Sequence, residues 1–210
     1  MDKHLRETIQ KHIERTVEAL RKNRFEAEYI ETPEQLLQRL DQLMPAGSTC
    51  SVGGSVTLSE TGVLDYLRSG RYTFYDRYDP AANPEEVYHQ ALSCDFYFTS
   101  SNAITQEGEL YNIDGHGNRL AALIWGPKKV IVIAGYNKIV TDRQAAVDRM
   151  KTIAAPANAM RLSKKTPCAV TGYCHNCASD DRICSQELFT GWQRNPGRIH
   201  VIILGGEYGY

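Results

Sequence analysis

Apolar residues recur with two different periods along the chain, and the switches between them lay out its elements. Residues 2–23 place Leu5, Ile9, Ile13, Val17 and Leu20 on one helical face, with Arg, Glu and Lys filling the other. Asn23 suits the C-cap of this helix. Arg24–Ile30 changes to alternation, with Phe25, Ala27 and Tyr29 opposite Glu26 and Glu28, which predicts a strand with one wet face. Thr32, Pro33 and Gln35 then have the spacing of an N-cap, a first-turn proline and a capping box. Leu36, Leu37, Leu40 and Leu43 give that helix its buried stripe, and Pro45-Ala-Gly stops it. Residues 49–69 predict a strand, a glycine pair and a helix. Tyr72–Tyr75 is a further strand, Pro80–Pro84 a loop and Glu85–Leu92 a short helix. Thr141 caps a helix running to Ala154, with Ala145, Ala146, Met150 and Ile153 towards the core and Pro156 ending it; Arg198–Leu204 is the last strand.

The stretch from residue 95 to 138 organises the rest. Two apolar runs, Asp95–Thr99 and Lys129–Ala134, frame a segment rich in Gly, Asn, Asp and Thr, with ELYNID as a short third strand inside it. KKVIVIAG is β-branched without alternation, as suits a strand buried on both faces of a parallel sheet. Strand and helix alternate through most of the chain. The expected fold is therefore α/β: an open, mostly parallel sheet covered by helices. Residues 1–210 read as one domain, with 1–47 as a helix and strand lead-in and 161–197 as a small cysteine-rich segment packed on it. In such sheets ligands bind beyond the carboxyl ends of the strands, which is where TSSNAIT falls.

Composition narrows the functional classes. A net charge of −1 gives no electrostatic footprint for nucleic acid or an anionic membrane. No run approaches the roughly 20 apolar residues of a membrane span, and MDKHLRETIQKHIERT is too polar for a signal peptide, so a cytoplasmic location is expected. In that setting six cysteines suggest metal, redox or buried thiols more than a disulfide frame. Four of them, Cys168, Cys174, Cys177 and Cys184, fall in one polar stretch with few large apolar residues to hold its shape. Four thiols with a CxxC pair match the ligand count of tetrahedral zinc or an iron–sulfur cluster, although the spacing matches neither common ferredoxin run. Disulfide pairing would need an oxidising setting, and isolated free thiols explain the clustering least. Cys50 and Cys94 lie beside predicted strands, where small buried hydrophobes are the default.

Taken together, GGSVTLSETG, FTSSNAITQEGELYNIDGHGNR, GPKKVIVIAGYNKIV, AAPANAMRL and TPCAVTGYCHNC…DRIC closely resemble the LUD (lactate-utilisation) domain family. The nearest likeness is to its short, single-domain members with a cysteine-bearing C-terminus, from about residue 50 onwards. The resemblance implies a NagB/RpiA/CoA-transferase-like α/β fold. It also implies a link to oxidation of L-lactate to pyruvate, in which partner subunits carry iron–sulfur clusters. Two positions depart from the family pattern: His116 stands in DGHGN where a small residue such as Thr is usual, and Gly54 stands where Ser is common.

The expected site gathers two loops. Gly53, Gly54, Ser55 and Thr57 come from the first, and Ser101, Asn102 and Thr105 from the second. Asp114, Gly115, Asn118, Asn137 and Lys138 complete it, and the ligand is a small anion, carboxylate or phosphate, held by free N–H groups and the lysine charge. Glu60, Glu107 and Asp114 are the carboxylates near enough to move a proton. Plainer explanations exist for two of them, Glu60 as a partner of the helix dipole and Asp114 as an Asx turn, and for the neighbouring Arg119 as a surface ion pair. The expected function is a subunit or accessory of small 2-hydroxy acid oxidation. The alternatives are a regulatory ligand-binding domain with structural zinc and, by fold analogy alone, a sugar-phosphate isomerase or CoA-transferase-like enzyme. Self-association would involve the apolar side of the first helix.

Overall fold

The elements follow one another as α1 (Lys3–Lys22), β1 (Glu26–Ile30), α2 (Pro33–Leu43), β2 (Thr49–Val52), α3 (Val56–Glu60), α4 (Val63–Leu67) and β3 (Thr73–Tyr75) in a computed structural model that describes residues 1–210. They continue with α5 (Pro84–Ala91), β4 (Phe96–Thr99), β5 (Ala103–Thr105), β6 (Leu110–Asp114), α6 (Asn118–Ile124), β7 (Lys129–Gly135) and β8 (Ile139–Val140). The chain ends with α7 (Arg143–Arg149), a π-helical turn (Met150–Ala154), α8 (Ala155–Arg161), α9 (Pro167–Thr171), β9 (Gln186–Thr190) and β10 (Ile199–Leu204).

Six strands form a parallel sheet in the order β1-β10-β7-β4-β2-β3. The unbroken β-branched run of β7 serves both faces, as its composition predicted. Val130 and Val132 pack with Ile13, Val17 and Leu20 of α1 and Leu120 and Leu123 of α6. Ile131 and Ile133 pack on the opposite face with Leu36 and Leu40 of α2 and Leu58, Val63 and Leu67 of α3 and α4. The capping box of α2 forms as expected, with Gln35 N donating to Thr32 Oγ1 and Thr32 N to Gln35 Oε1. α1 is capped by Asp2, whose carboxylate accepts from His4 N and Leu5 N, and Leu5, expected on its apolar face, is exposed.

The expected strand in ELYNID forms, outside the parallel sheet, while several other expectations need correcting. As β6 it lies in a second, four-stranded sheet of order β8-β5-β6-β9, antiparallel except for the β5–β8 pair. The edge strand β9 comes from the cysteine-rich segment, which is thus part of the fold's second layer. The helix after the glycine pair is broken into α3 and α4 at Gly62, which has φ +72. The cap of α7 is Asp142, whose side chain accepts from Ala145 N, and Ile153 faces solvent.

Pro156 does not end the helix it was expected to end. The chain widens into the π turn ahead of it, where Ala155 N reaches Met150 O, and the helix resumes as α8. In that wider pattern Pro156 would be the donor to Lys151 O but has no N–H. Cys174 N fills the vacancy at 3.0 Å and so docks the cysteine-rich segment onto the helix.

Gly108, in the β5–β6 turn, has φ +82, and a Cβ there would lie 2.4 Å from the carbonyl carbon of Ala19 at the end of α1. Asn23 Nδ2 secures the same junction through Glu107 O and Gly108 O. Gly47 has a similar φ of +80 with open space around it. Gly47→Ala should therefore cost only the left-handed strain, about 1–2 kcal/mol. Gly108→Ala should cost clearly more, because the α1 contact must also open. Urea denaturation midpoints of the two variants make the comparison.

Candidate functional site

The chain leaves β2 for β3 on one side and then passes back to β4 on the other, so the gap beyond β2 and β4 is a topological switch point. A cleft of about 650 Å³ opens there. Its walls are the Gly53-Gly54-Ser55 turn after β2, the Ser100–Asn102 loop after β4, the β6–α6 turn and Lys138 beyond β7. The outer side is built from α8 and residues 180–185 of the cysteine-rich segment. The segment after β10 reaches the same place through Gly209 and Tyr210.

Arg119, read from sequence as a surface ion pair, is 8% exposed and holds the inner wall together. Its Nε donates to Asp114 Oδ1 at 2.9 Å. One terminal nitrogen reaches Ser100 O and Asn112 Oδ1, and the other reaches Asn102 Oδ1 at 2.9 Å and Ile113 O at 2.8 Å. Asp114 also accepts from Arg119 N and Leu120 N, the first turn of α6. With both oxygens engaged by a guanidinium and two amides, Asp114 is placed as a structural anchor. Asn102 Oδ1 is likewise shared between Ile113 N and Arg119. Gly53 fits beneath this pair because it has no side chain: a Cβ would stand 2.9 Å from Arg119 Cδ.

Lys138 is the contrasting group. It is 3% exposed, and its Nζ donates to two neutral hydroxyls, Thr57 Oγ1 at 2.9 Å and Ser100 Oγ at 3.0 Å. Burial, with added repulsion from Arg149 and Arg119, lowers its pKa to about 7; Glu60 opposes the shift. Arg149 lies behind it, 7% exposed and spending its donors on Asn137 O and Asn102 O, and burial lowers its pKa to about 10. A buried ammonium among like charges, solvated only by hydroxyls, is expensive unless an anion joins it.

Of the residues expected from sequence, Gly54, Ser55, Ser101, Asn102, Asp114, Gly115, Asn118 and Lys138 line the cleft. Thr57 lies just beneath, bonded to Lys138. Thr105 and Glu107 do not belong to it: they sit on the β5–β6 turn, where Thr105 Oγ1 accepts from Glu109 N and the Glu107 side chain is exposed. Glu60 and Asn137 act on the segment after β10. Glu60 Oε2 accepts from Gly209 N at 2.6 Å, while Asn137 donates to Gly209 O and accepts from Tyr208 N. Sequence reasoning missed Ser100, Arg77, Arg149, Arg161 and Arg182. Ser100 stood within TSSN, but the arginines come from scattered segments and carry no local signal.

The four thiols expected to ligate a metal do not form a ligand set as folded. No group of three or more His, Cys, Asp or Glu side chains is placed to hold a metal ion. Cys168 is buried beside the Thr166 hydroxyl at 3.3 Å, and Cys174, Cys177 and Cys184 are half-exposed free thiols. Arg182 ties the backbone of the last two together, donating to Cys184 O at 3.0 Å and Cys177 O at 2.9 Å.

An open parallel α/β protein with a strand-end cleft is the class this architecture defines. The chain belongs to the LUD domain family, whose model matches residues 13–204, well beyond the part from residue 50 where the motifs lie. Among solved structures it is similar to a DUF162 family protein from Deinococcus radiodurans, with a TM-score of 0.51 and 14% identity over 95% of this chain and 98% of that one. Partial similarity links it to eIF2B beta from Chaetomium thermophilum, with a TM-score of 0.39 and 11% identity over 53% of this chain and 44% of that one. For eIF2B delta from the same organism the TM-score is 0.34 and the identity 20%, over 55% of this chain and 50% of that one. No curated protein matches the chain at a significant level. No helix is long and apolar enough to cross a membrane.

Two stability outcomes follow from these charges. Arg119→Met should cost about 3–5 kcal/mol in denaturant titrations, because it leaves the Asp114 carboxylate buried and unpaired. Lys138→Met should stabilise the ligand-free protein at pH 7. The unfolded lysine holds its proton to about pH 10.4, whereas the folded one gives it up near 7, so the wild type loses stability as pH falls through that window. The advantage of the variant should be full below about pH 7 and should fade as pH rises towards 10.

Proposed function

We propose that this LUD-domain protein binds a small organic anion in the strand-end cleft and serves small 2-hydroxy acid oxidation of the lactate-utilisation type, as a ligand-binding subunit or accessory. The supporting observation is Lys138: an almost fully buried ammonium at the cleft floor whose hydrogen bonds go to the neutral hydroxyls of Thr57 and Ser100. A carboxylate placed on Nζ would replace lost hydration with a charge-assisted hydrogen bond and relieve the repulsion from Arg149 and Arg119. Ser55 and Ser100, on the loops after β2 and β4, line the same cleft and suit a hydroxy acid that offers both donor and acceptor. Electron transfer is assigned to iron–sulfur partner subunits, as in the lactate-oxidising systems that the family resemblance points to.

Calorimetric titration with lactate tests the assignment, since lactate keeps one charge across neutral and alkaline pH. Affinity should be constant below about pH 7. Above it, affinity should fall about tenfold per pH unit until the lysine pKa of the complex is reached, because binding must then recruit a proton to Lys138. Lys138→Met should weaken binding at least roughly tenfold, the worth of a charged hydrogen bond. Binding that ignores both pH and Lys138→Met would refute the proposal.

A further inference from the structure

The cleft is larger and more cationic than a three-carbon acid requires. Its volume of about 650 Å³ falls within the roughly 300–1,000 Å³ typical of sites for drug-sized ligands. Six cationic and three acidic side chains line it. The acids are partly spoken for: Asp114 pairs with Arg119 at 2.7 Å and Asp181 with Lys164 at 3.5 Å. Arg182 has its fork on two backbone carbonyls.

Arg77 and Arg161 are the two guanidiniums with donors to spare. Arg77 follows β3 and stands against the rings of Tyr78 and Tyr88, 5.8 and 5.3 Å from their centroids. Its only side-chain hydrogen bond is a long one, 3.3 Å, to the Tyr88 hydroxyl. Stacking fixes the plane of the fork while leaving its N–H groups free, the state in which an arginine grips an oxyanion best. Gly54 leaves the approach to it open: a Cβ there would come no closer than 3.5 Å to Arg77. Arg161, at the end of α8, spends Nε and one terminal nitrogen on Asn158 Oδ1. Neither arginine has a carboxylate partner among the ion pairs of the fold. The cations pressing on Lys138 are Arg149 and Arg119, on the inner side, whereas Arg77 and Arg161 belong to the loop after β3 and to α8.

We infer that the cleft has two anion poles, an inner one at Lys138 with Thr57 and Ser100 and an outer one at Arg77 and Arg161, and that its ligand is a phosphorylated hydroxy acid bridging them. The carboxylate takes the inner pole, where the Lys138 ammonium and the Ser100 hydroxyl meet it; the Thr57 hydroxyl accepts from Lys138 and donates to Tyr208 O. The phosphate takes the outer pole, where two guanidiniums supply bidentate donors. This extends the anion-binding function and rests on it, but it requires more, since a second anion must add affinity.

The probes are lactate, inorganic phosphate and 3-phosphoglycerate, titrated calorimetrically into the full chain at pH 7. 3-Phosphoglycerate should bind at least tenfold more tightly than either single-anion probe. Arg77→Gln and Arg161→Gln, both on partly or fully exposed side chains, should each reduce 3-phosphoglycerate affinity about tenfold and change lactate affinity less than twofold. Lys138→Met should weaken both acids. Lactate binding as tight as 3-phosphoglycerate, or Arg77→Gln weakening both equally, would overturn the two-pole cleft while leaving Lys138 as a single anion site. Failure of all three probes to bind would overturn both.

Discussion

The Arg119 guanidinium is the joint on which the rest of the structure turns. It donates to the end of β4 in the parallel sheet and to Asn112, Ile113 and Asp114 of β6 in the second sheet. Asp114 in turn caps the first turn of α6, which packs on the parallel sheet through Leu120 and Leu123. A buried pair with most of its donors and acceptors satisfied rigidifies what it touches, and here it locks two sheets at the angle that leaves a cleft between them. The same side chain explains why Gly53 carries no Cβ. Asp114, expected as a proton carrier, and Asn102, expected to line the site, both hold the wall in place.

With Asp114 spent in that joint and Asp181 paired with Lys164, the positive charge left in the cleft becomes its defining property. Lys138 and Arg149 are both buried, and both bond to neutral oxygens. Proteins rarely bury cations this way without a compensating charge. The fold evidently tolerates the cost in its ligand-free form because Thr57, Ser100 and the carbonyls of Asn102 and Asn137 substitute for water. Stability and ligand binding are therefore linked: the group that most weakens the empty fold is the one that gains most from an anion.

The cysteine-rich segment takes its place in this arrangement as a wall. Pro156 frees Lys151 O, Cys174 N takes it, Arg182 ties Cys177 to Cys184, and β9 then pairs with β6. Backbone hydrogen bonds, an arginine clamp and a strand edge hold this segment, which has few large apolar residues, in place.

Local chemistry was enough to predict the parallel α/β layout, the α2 capping box and the two-faced burial of β7, and it pointed to the strand ends, where a cleft lies. Periodicity, caps and turn residues act within a few positions of themselves and are visible in one dimension. The location of Lys138 in the cleft was legible for the same reason, since it follows a strand end directly. Other features depended on pairings between distant segments. The second sheet joins residues 103–114 to 186–190, and Arg77, Arg161 and Arg182 converge from three places with no shared motif. Whether Asp114 is a free carboxylate or a spent one, and whether four nearby thiols become a ligand set, depends on neighbours far away in the chain. Only the tertiary structure decides such questions, because burial and charge pairing are properties of the folded arrangement.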